Sequence, residues 1–429
     1  MAGGALPSRA LPGRLRPDDR LRGSVDGFPA WPPVGDPPLE GQPDPSQVLD
    51  RALAWLTAHV PWFGPKWDEF FPQSAFPGVT VLELLLLCRV LRRGPRAAAS
   101  ADLVEAAPDV AQEMAERPAF LGDLYRADAD FAHRVWLLAL LHGLGRPVSD
   151  QLAVARGLVE ARGSDVSVVD WAMLYVLELR YILDMAEIPH SLPTVPELYA
   201  GCGVHRIDPL STTENEGYVL AHALLYATAL GGRPLPSCGG PTAERRLRDV
   251  LHTLLGVHLA TDHYDLTAEL LMCAEIAGGV SDGLVRHAWH RLAAAQRSDG
   301  SVPGPPFQEA VLAERTDAAA DAYAFRTCYH TTLVTALAAA ERECSRRRRG
   351  QWRRQCLRLR RPGANARRDA CWTGVAGGCR RGPGRTLAPM PLARRSGRSA
   401  SGWPTGPPRP RPRRTSPLPP DCRRPCRHR

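Results

Sequence analysis

Three stretches of this chain set titratable side chains inside apolar runs of helical period, and these mark where chemistry is expected. Residues 326–337 read RTCYHTTLVTAL. On a helix Arg326 and His330, at i and i+4, share a face, whereas Cys328 and His330 stand about 200° apart and point to opposite faces. The Cys-Tyr-His set is therefore not one site. His330 is a candidate acid–base group, Arg326 a candidate substrate contact, and Cys328 a packing residue. Residues 261–278 read TDHYDLTAELLMCAEIAG. Asp262 is the expected N-cap, and Asp265 falls in the first turn, where the helix dipole favours an acid. Glu269 interrupts the apolar run a turn later. A carboxylate pair at i, i+4 lining a cavity raises one pKa and supplies a general acid; a solvated helix face has the same spacing.

The third stretch, residues 211–226, reads STTENEGYVLAHALLY. Thr213-x-x-Glu216 is a capping box, which gives Glu216 a structural duty. Glu214 has no such duty and is a candidate substrate-binding group. His222, two turns inside among Val219, Ala223, Leu225 and Tyr226, reads either as a hydrogen-bonded core histidine or as a catalytic one. His287 and His290 sit at i, i+3 beside Arg286 and Arg291, a setting that places them in solvent. Neither a P-loop nor GxGxxG, HExxH or GxSxG occurs, so nucleotide, zincin and serine-hydrolase chemistry have no support. No cofactor and no metal is expected.

The elements that must position these residues are helices. Apolar periodicity predicts twelve, over 47–59, 79–92, 102–116, 128–143, 149–161, 167–187, 194–200, 215–230, 242–259, 264–277, 281–296 and 317–343. They fall into six pairs with second members beginning near 79, 128, 167, 215, 264 and 317, a loose repeat of helical hairpins. The second members are apolar almost all round, as in VTVLELLLLCRVL and VSVVDWAMLYVLELRYILDMAEI. The first members are amphipathic: TAERRLRDVLHTLLGVHL sets Leu247, Val250, Leu251, Leu254, Leu255 and His258 against Arg245, Arg248 and Asp249. Buried helices wrapped by amphipathic ones predict an all-α (α/α)6 toroid over residues 46–344, with an open α-solenoid as the alternative. In a toroid the N-terminal ends of the inner helices converge on one cavity.

Residues 289–305, WHRLAAAQRSDGSVPGP, resemble the QW repeat of terpene cyclases. Trp289, Leu292, Gln296 and Gly300 match it, and Val302 stands where the repeat has Trp. The acidic DxDD of hopene-type cyclases is absent, so that activity is not implied. Toroid prenyltransferases hold zinc with Asp, Cys and His. The chain offers Asp265, Cys328 and His330 but lacks the adjacent Asp-x-Cys. The segments ENEGYVLAHALLYATALGG, YDLTAELLMCAEIAGG and CYHTTLVTALAAA resemble an uncharacterised actinobacterial helical family associated with specialised-metabolite gene sets. That likeness spans roughly residues 45–343 and implies no particular reaction.

Charge bounds the partners. The chain carries +9 over 429 residues, but residues 345–429 hold 25 Arg, no Lys and two acids, Asp369 and Asp421, a net +23 that leaves −14 for residues 1–344. The helical part is therefore acidic, and no nucleic-acid partner is expected for it. Residues 345–429 and the Pro/Gly-rich residues 1–45 are too poor in periodic apolar residues to offset ordering entropy and read as disordered. The basic tail has the composition either of an arm for nucleic acid or an anionic membrane or of a shifted reading frame in G+C-rich coding DNA. Cys88, Cys273 and Cys328 read as small buried thiols, and with no apolar leader or spanning run the protein is expected in the cytoplasm. The reading is an acidic, His-containing cavity that binds or transforms a small or peptide-like metabolite by acid–base chemistry. Its residues are His222, Glu269 and His330, supported by Glu214, Asp265 and Arg326. A non-catalytic binding or scaffold protein of a biosynthetic pathway is the alternative, and convergence of the two histidines on Glu269 separates them.

Overall fold

A computed structural model of the chain describes residues 44–71, 78–126, 130–161, 173–237 and 239–359. Those residues form fifteen α-helices and no β-strand. In chain order they are α1 (Pro45–Ala58), α2 (Pro65–Phe70), α3 (Gly78–Arg93), α4 (Ala101–Glu116), α5 (Pro118–Arg126) and α6 (Phe131–Gly143). There follow α7 (Ser149–Ala161), α8 (Met173–Met185), α9 (Val195–Cys202), α10 (Glu214–Ala227) and α11 (Gly240–Ala260). The last are α12 (Tyr264–Ala277), α13 (Asp282–Ala295), α14 (Glu309–Ala313) and α15 (Asp317–Leu359). No helix among them is long and apolar enough to cross a membrane.

Burial divides the helices into two kinds. In α3 every residue from Val81 to Leu91 is buried except Glu83 and Arg89. In α6 the run Val135–Leu141, and in α12 the run Asp265–Ala274, are buried without a break. Residues 331–341 of α15 are likewise buried all round. Each fully buried Leu or Val contributes about 1.5–3 kcal/mol, so these helices hold because every face finds a neighbour. The other kind buries one stripe: Leu103, Ala107, Ala111 and Ala115 in α4, and Leu247, Val250, Leu251, Leu254, Leu255, His258 and Leu259 in α11.

The buried helices α3, α6, α12 and α15 pack, together with α8 and α10, in a fixed succession. Helix α3 lies on α6, α6 on α8, α8 on α10, α10 on α12, α12 on α15, and α15 on α3, so the contacts return to their starting point. The striped helices pack on these, α4 against α3 and α6, α7 against α6, α9 against α8 and α10, α11 and α13 against α12, and α1 against α15.

The turn after α13 ties the last helices to the first. The Gln296 side chain donates to the Val48 carbonyl at 3.0 Å and to the Gly300 carbonyl at 2.9 Å, while the Val302 amide donates to Thr332 Oγ1 at 2.8 Å. Gly300 sits at φ +97°, and a Cβ there would collide with the Arg51 carbonyl. The segment that resembles a QW repeat thus links α13 to α1 through its Gln and Gly, and to α15 through the Val302 amide.

The structure amends the sequence reading at several points. Helices α2, α5 and α14 were not expected; each opens on a proline or has only five residues, too short for a periodic pattern to register. Asp262 is not the cap of α12. It adopts φ +55° and bonds Tyr264 and Arg291, and His263 Nδ1 accepts the Leu266 amide at 3.3 Å instead. Helix α15 runs past the expected boundary at 344, because Ser345 is buried against Glu341 and the Arg348 and Arg349 side chains reach Glu341 and Glu275. The expected helix starts at 128 and 167, and the segments 1–43 and 360–429 expected to be disordered, lie outside the described residues.

Candidate functional site

Four helices of this cycle each bring one or two ionisable groups to a common point. Asp265 and Glu269 stand one turn apart on α12, His330 on α15, His222 on α10 and Glu83 on α3. The His330 ring is the hub. Its Nδ1–H donates to Glu83 Oε2 at 3.0 Å, and its Nε2 lies 3.4 Å from Asp265 Oδ2 and 4.0 Å from Glu269 Oε1. On the other side of Glu269, His222 Nε2 approaches the same Oε1 at 3.8 Å. The two histidines and the carboxylate between them, read from the sequence as catalytic candidates, do converge.

Hydroxyl groups complete the arrangement. Tyr218 donates to Asp265 Oδ2 at 2.6 Å and Thr331 to Asp265 Oδ1 at 2.9 Å, so both oxygens of that carboxylate are held. Glu269 is not held in this way. Only 4 % of its side chain is exposed, yet its Oε2 has no hydrogen-bond partner. Beyond His222, Tyr226 stacks on Tyr181 and donates to Glu178 Oε1 at 2.8 Å. The histidines reach solvent where the acids do not: the His222 and His330 side chains are 40 % and 34 % exposed, against 4–5 % for Asp265 and Glu269. The cluster, called the recess below, has the α12 carboxylates at its buried end and the imidazoles at its exposed end.

The charges follow from this packing. Burial opposes a charge on His330, but Glu83 and Asp265 outweigh it and hold its pKa well above the ordinary imidazole value. Burial likewise works against charge on His222, and the adjoining Glu269 carboxylate, with Glu178 and Glu83 behind it, brings its pKa above the ordinary value as well. Burial pushes the Asp265 carboxyl up; the adjoining His330 imidazole and the Tyr218 and Thr331 hydroxyls reverse that and keep it below the usual range. Burial and the Asp265 charge raise the Tyr218 phenol. In neutral solution Asp265 is therefore an anion facing the His330 imidazolium, an ion pair in which each partner stabilises the charge of the other.

Two residues named from the sequence stand apart. Glu214 is exposed at the N-terminus of α10 and faces His263 Nε2 at 3.7 Å, at the rim and not among the acids. Arg326 is exposed one turn before His330, its guanidinium 5.4 Å from the Phe71 ring centroid. Cys328 is buried, on the side of α15 away from His330, as the helical spacing requires. Glu216 is the capping partner it was read to be, its Oε2 accepting the Thr213 amide at 2.8 Å. His287 is exposed.

Four groups at the recess escaped the sequence reading: Glu83, Glu178, Tyr218 and Thr331. Glu83 and Glu178 carry the same mark as Glu269, a carboxylate inside an otherwise apolar helix, in VTVLELLLLCRVL and LYVLELRYIL. Tyr218 and Thr331 carry none, because a hydroxyl on an apolar helix is ordinary packing.

No curated protein and no solved structure matches this chain. Residues 49–340 match the domain of unknown function DUF6895. That stretch takes in every residue of the recess, and the chain belongs to the DUF6895 family.

Proposed function

We propose that this chain binds a small or peptide-like metabolite in the recess between α3, α10, α12 and α15 and moves a proton on it. The observation that carries this reading is the convergence of His222, Glu269 and His330 from three helices, with Glu269 Oε1 3.8 Å from one imidazole and 4.0 Å from the other. Core packing alone accounts poorly for it: placing buried carboxylates and imidazoles together costs desolvation that an apolar side chain of the same size avoids. His222, the more exposed histidine, is the group nearest an incoming ligand. Glu269 links it to His330, and Glu83 fixes the His330 ring.

The helix arrangement that supports this reading is a closed (α/α)6 toroid, for which the cyclic contacts from α3 round to α15 speak. The setting proposed is a cytoplasmic step of specialised metabolism. The rival is a binding protein without chemistry, favoured by the completeness with which Tyr218 and Thr331 hold Asp265.

The test is a thermal-shift screen of the purified protein against amino acids, short peptides and polar metabolites, with mass spectrometry of every mixture that stabilises it. A ligand should raise the melting temperature of the wild type, lose most of that effect with H222Q and with E269Q, and be recovered altered in mass or stereochemistry. Stabilisation that persists in both variants would sink the recess as the site. A ligand recovered unchanged would leave the non-catalytic reading standing.

A further inference from the structure

We propose that Asp265, Glu269 and His330 form a binding site for a divalent transition-metal ion, with Glu83 as the outer carboxylate that aims the histidine. One oxygen or nitrogen from each of the three lies within 4.8 Å of the others. Two of the separations are 3.4 Å and 4.0 Å. Bonds from zinc to oxygen and imidazole nitrogen are about 2.0–2.2 Å long, which sets two donors roughly 3–4 Å apart. The side chains therefore need little movement to close on an ion.

Three further observations point to a cation and not to a mere carboxylate cluster. First, metal-bound histidines usually donate their second ring N–H to a carboxylate, which fixes the ring and its tautomer. Here Nδ1 donates to Glu83 at 3.0 Å and Nε2 is thereby turned to Asp265 and Glu269. Secondly, the Asp265 oxygen turned away from His330 is held by Thr331 at 2.9 Å, another outer contact of the kind that orients a ligating carboxylate. Thirdly, Glu269 is 4 % exposed with an unpartnered Oε2, a buried anionic oxygen left without a donor in a protein interior where such groups are satisfied.

The donor set is two carboxylates and an imidazole with no thiolate, since Cys328 lies buried on the far side of α15. Such a set suits zinc, manganese or ferrous iron. His222, 3.8 Å from Glu269 Oε1, is placed to act as a further donor or as a base beside the ion. With the ion present His330 is a ligand, and proton transfer falls to His222. The site goes beyond the proposed function and holds whether or not the recess is catalytic.

The experiment uses the full chain, stripped with a chelator and titrated calorimetrically with Zn2+, and in parallel with Co2+ followed by absorption. One equivalent should bind, with Co2+ giving visible bands of low coordination number and no thiolate charge-transfer band. D265N and E269Q should each weaken binding at least tenfold, and E83Q should weaken it about 10–100-fold, the range for outer-shell partners. H287Q/H290Q, which removes the exposed His287 and half-buried His290 of α13, should bind as the wild type does. A Co2+ spectrum of the free aquo ion in the wild type would overturn the proposal. So would binding that D265N and E269Q leave intact, or binding lost only in H287Q/H290Q. If either recess variant fails to fold, the wild-type Co2+ spectrum decides alone. Because no metabolite enters the titration, its outcome is separate from that of the ligand screen.

Discussion

At the scale of single residues, partners decide what each polar group does, and the two sides of the recess behave differently. Thr331 is 2 % exposed and its hydroxyl donates to Asp265. Removing it as T331V leaves a buried carboxylate oxygen unanswered and should cost about 1–3 kcal/mol. His222 is 40 % exposed and meets Glu269 only at 3.8 Å. Its replacement as H222L should change stability by about 0.5 kcal/mol or less, as for a surface site. Chemical denaturation of the two variants measures the contrast, and equal losses would mean that His222 is a structural residue of the core. Glu269, His222 and His330 were legible in the sequence because each breaks an apolar helix, and Asp265 because it stands one turn before Glu269. Thr331 and Tyr218 were not, since their role depends on which helix lies opposite, and that is a property of the tertiary fold.

At the scale of elements, local pattern sufficed for the long apolar helices and failed where a tertiary partner overrides it. The Arg-rich stretch after residue 344 reads as solvated coil, yet in α15 Arg349 reaches Glu275 on α12, while Arg348 reaches back to Glu341 two turns earlier on the same helix. The end of α1 offers a test by pH. His59 stacks on Trp55 with ring centroids 4.0 Å apart and its Nδ1–H donates to the Trp55 carbonyl at 2.7 Å. Burial lowers its pKa below 6.5 despite that bond and despite Asp299 and Asp321 nearby, with Lys66 acting in the same direction as burial. Below pH 6.5 the unfolded chain takes up a proton that the folded chain resists, so this contribution to stability is complete above that pH and is lost as the pH falls. The margin of the wild type over H59Q should therefore narrow between pH 7.5 and pH 5, as read by thermal melts; a margin that widens would contradict the assignment. The turn after α13 offers a second test. G300A sets a Cβ against the Arg51 carbonyl at φ +97°, strain of about 1–3 kcal/mol, and its melting temperature should fall by several degrees.

At the scale of the whole helical array, the succession of contacts matters more than any one of them. From sequence the hairpin repeat predicts a closed toroid but leaves an open solenoid as the alternative, because nothing local to α15 announces α3 as a neighbour. In the structure α15 packs on α3 and α1 on α15, and Gln296 fastens the join. An open array of hairpins frays from its ends, each terminal unit detaching at the expense of a single interface. An array whose contacts run in a cycle has no such end: releasing any one buried helix breaks two interfaces at once. Opening should therefore be concerted. Native-state hydrogen exchange should give the slow amides of α3, α6, α8, α10 and α12 one common opening free energy, with no gradient falling away toward α3 or α15.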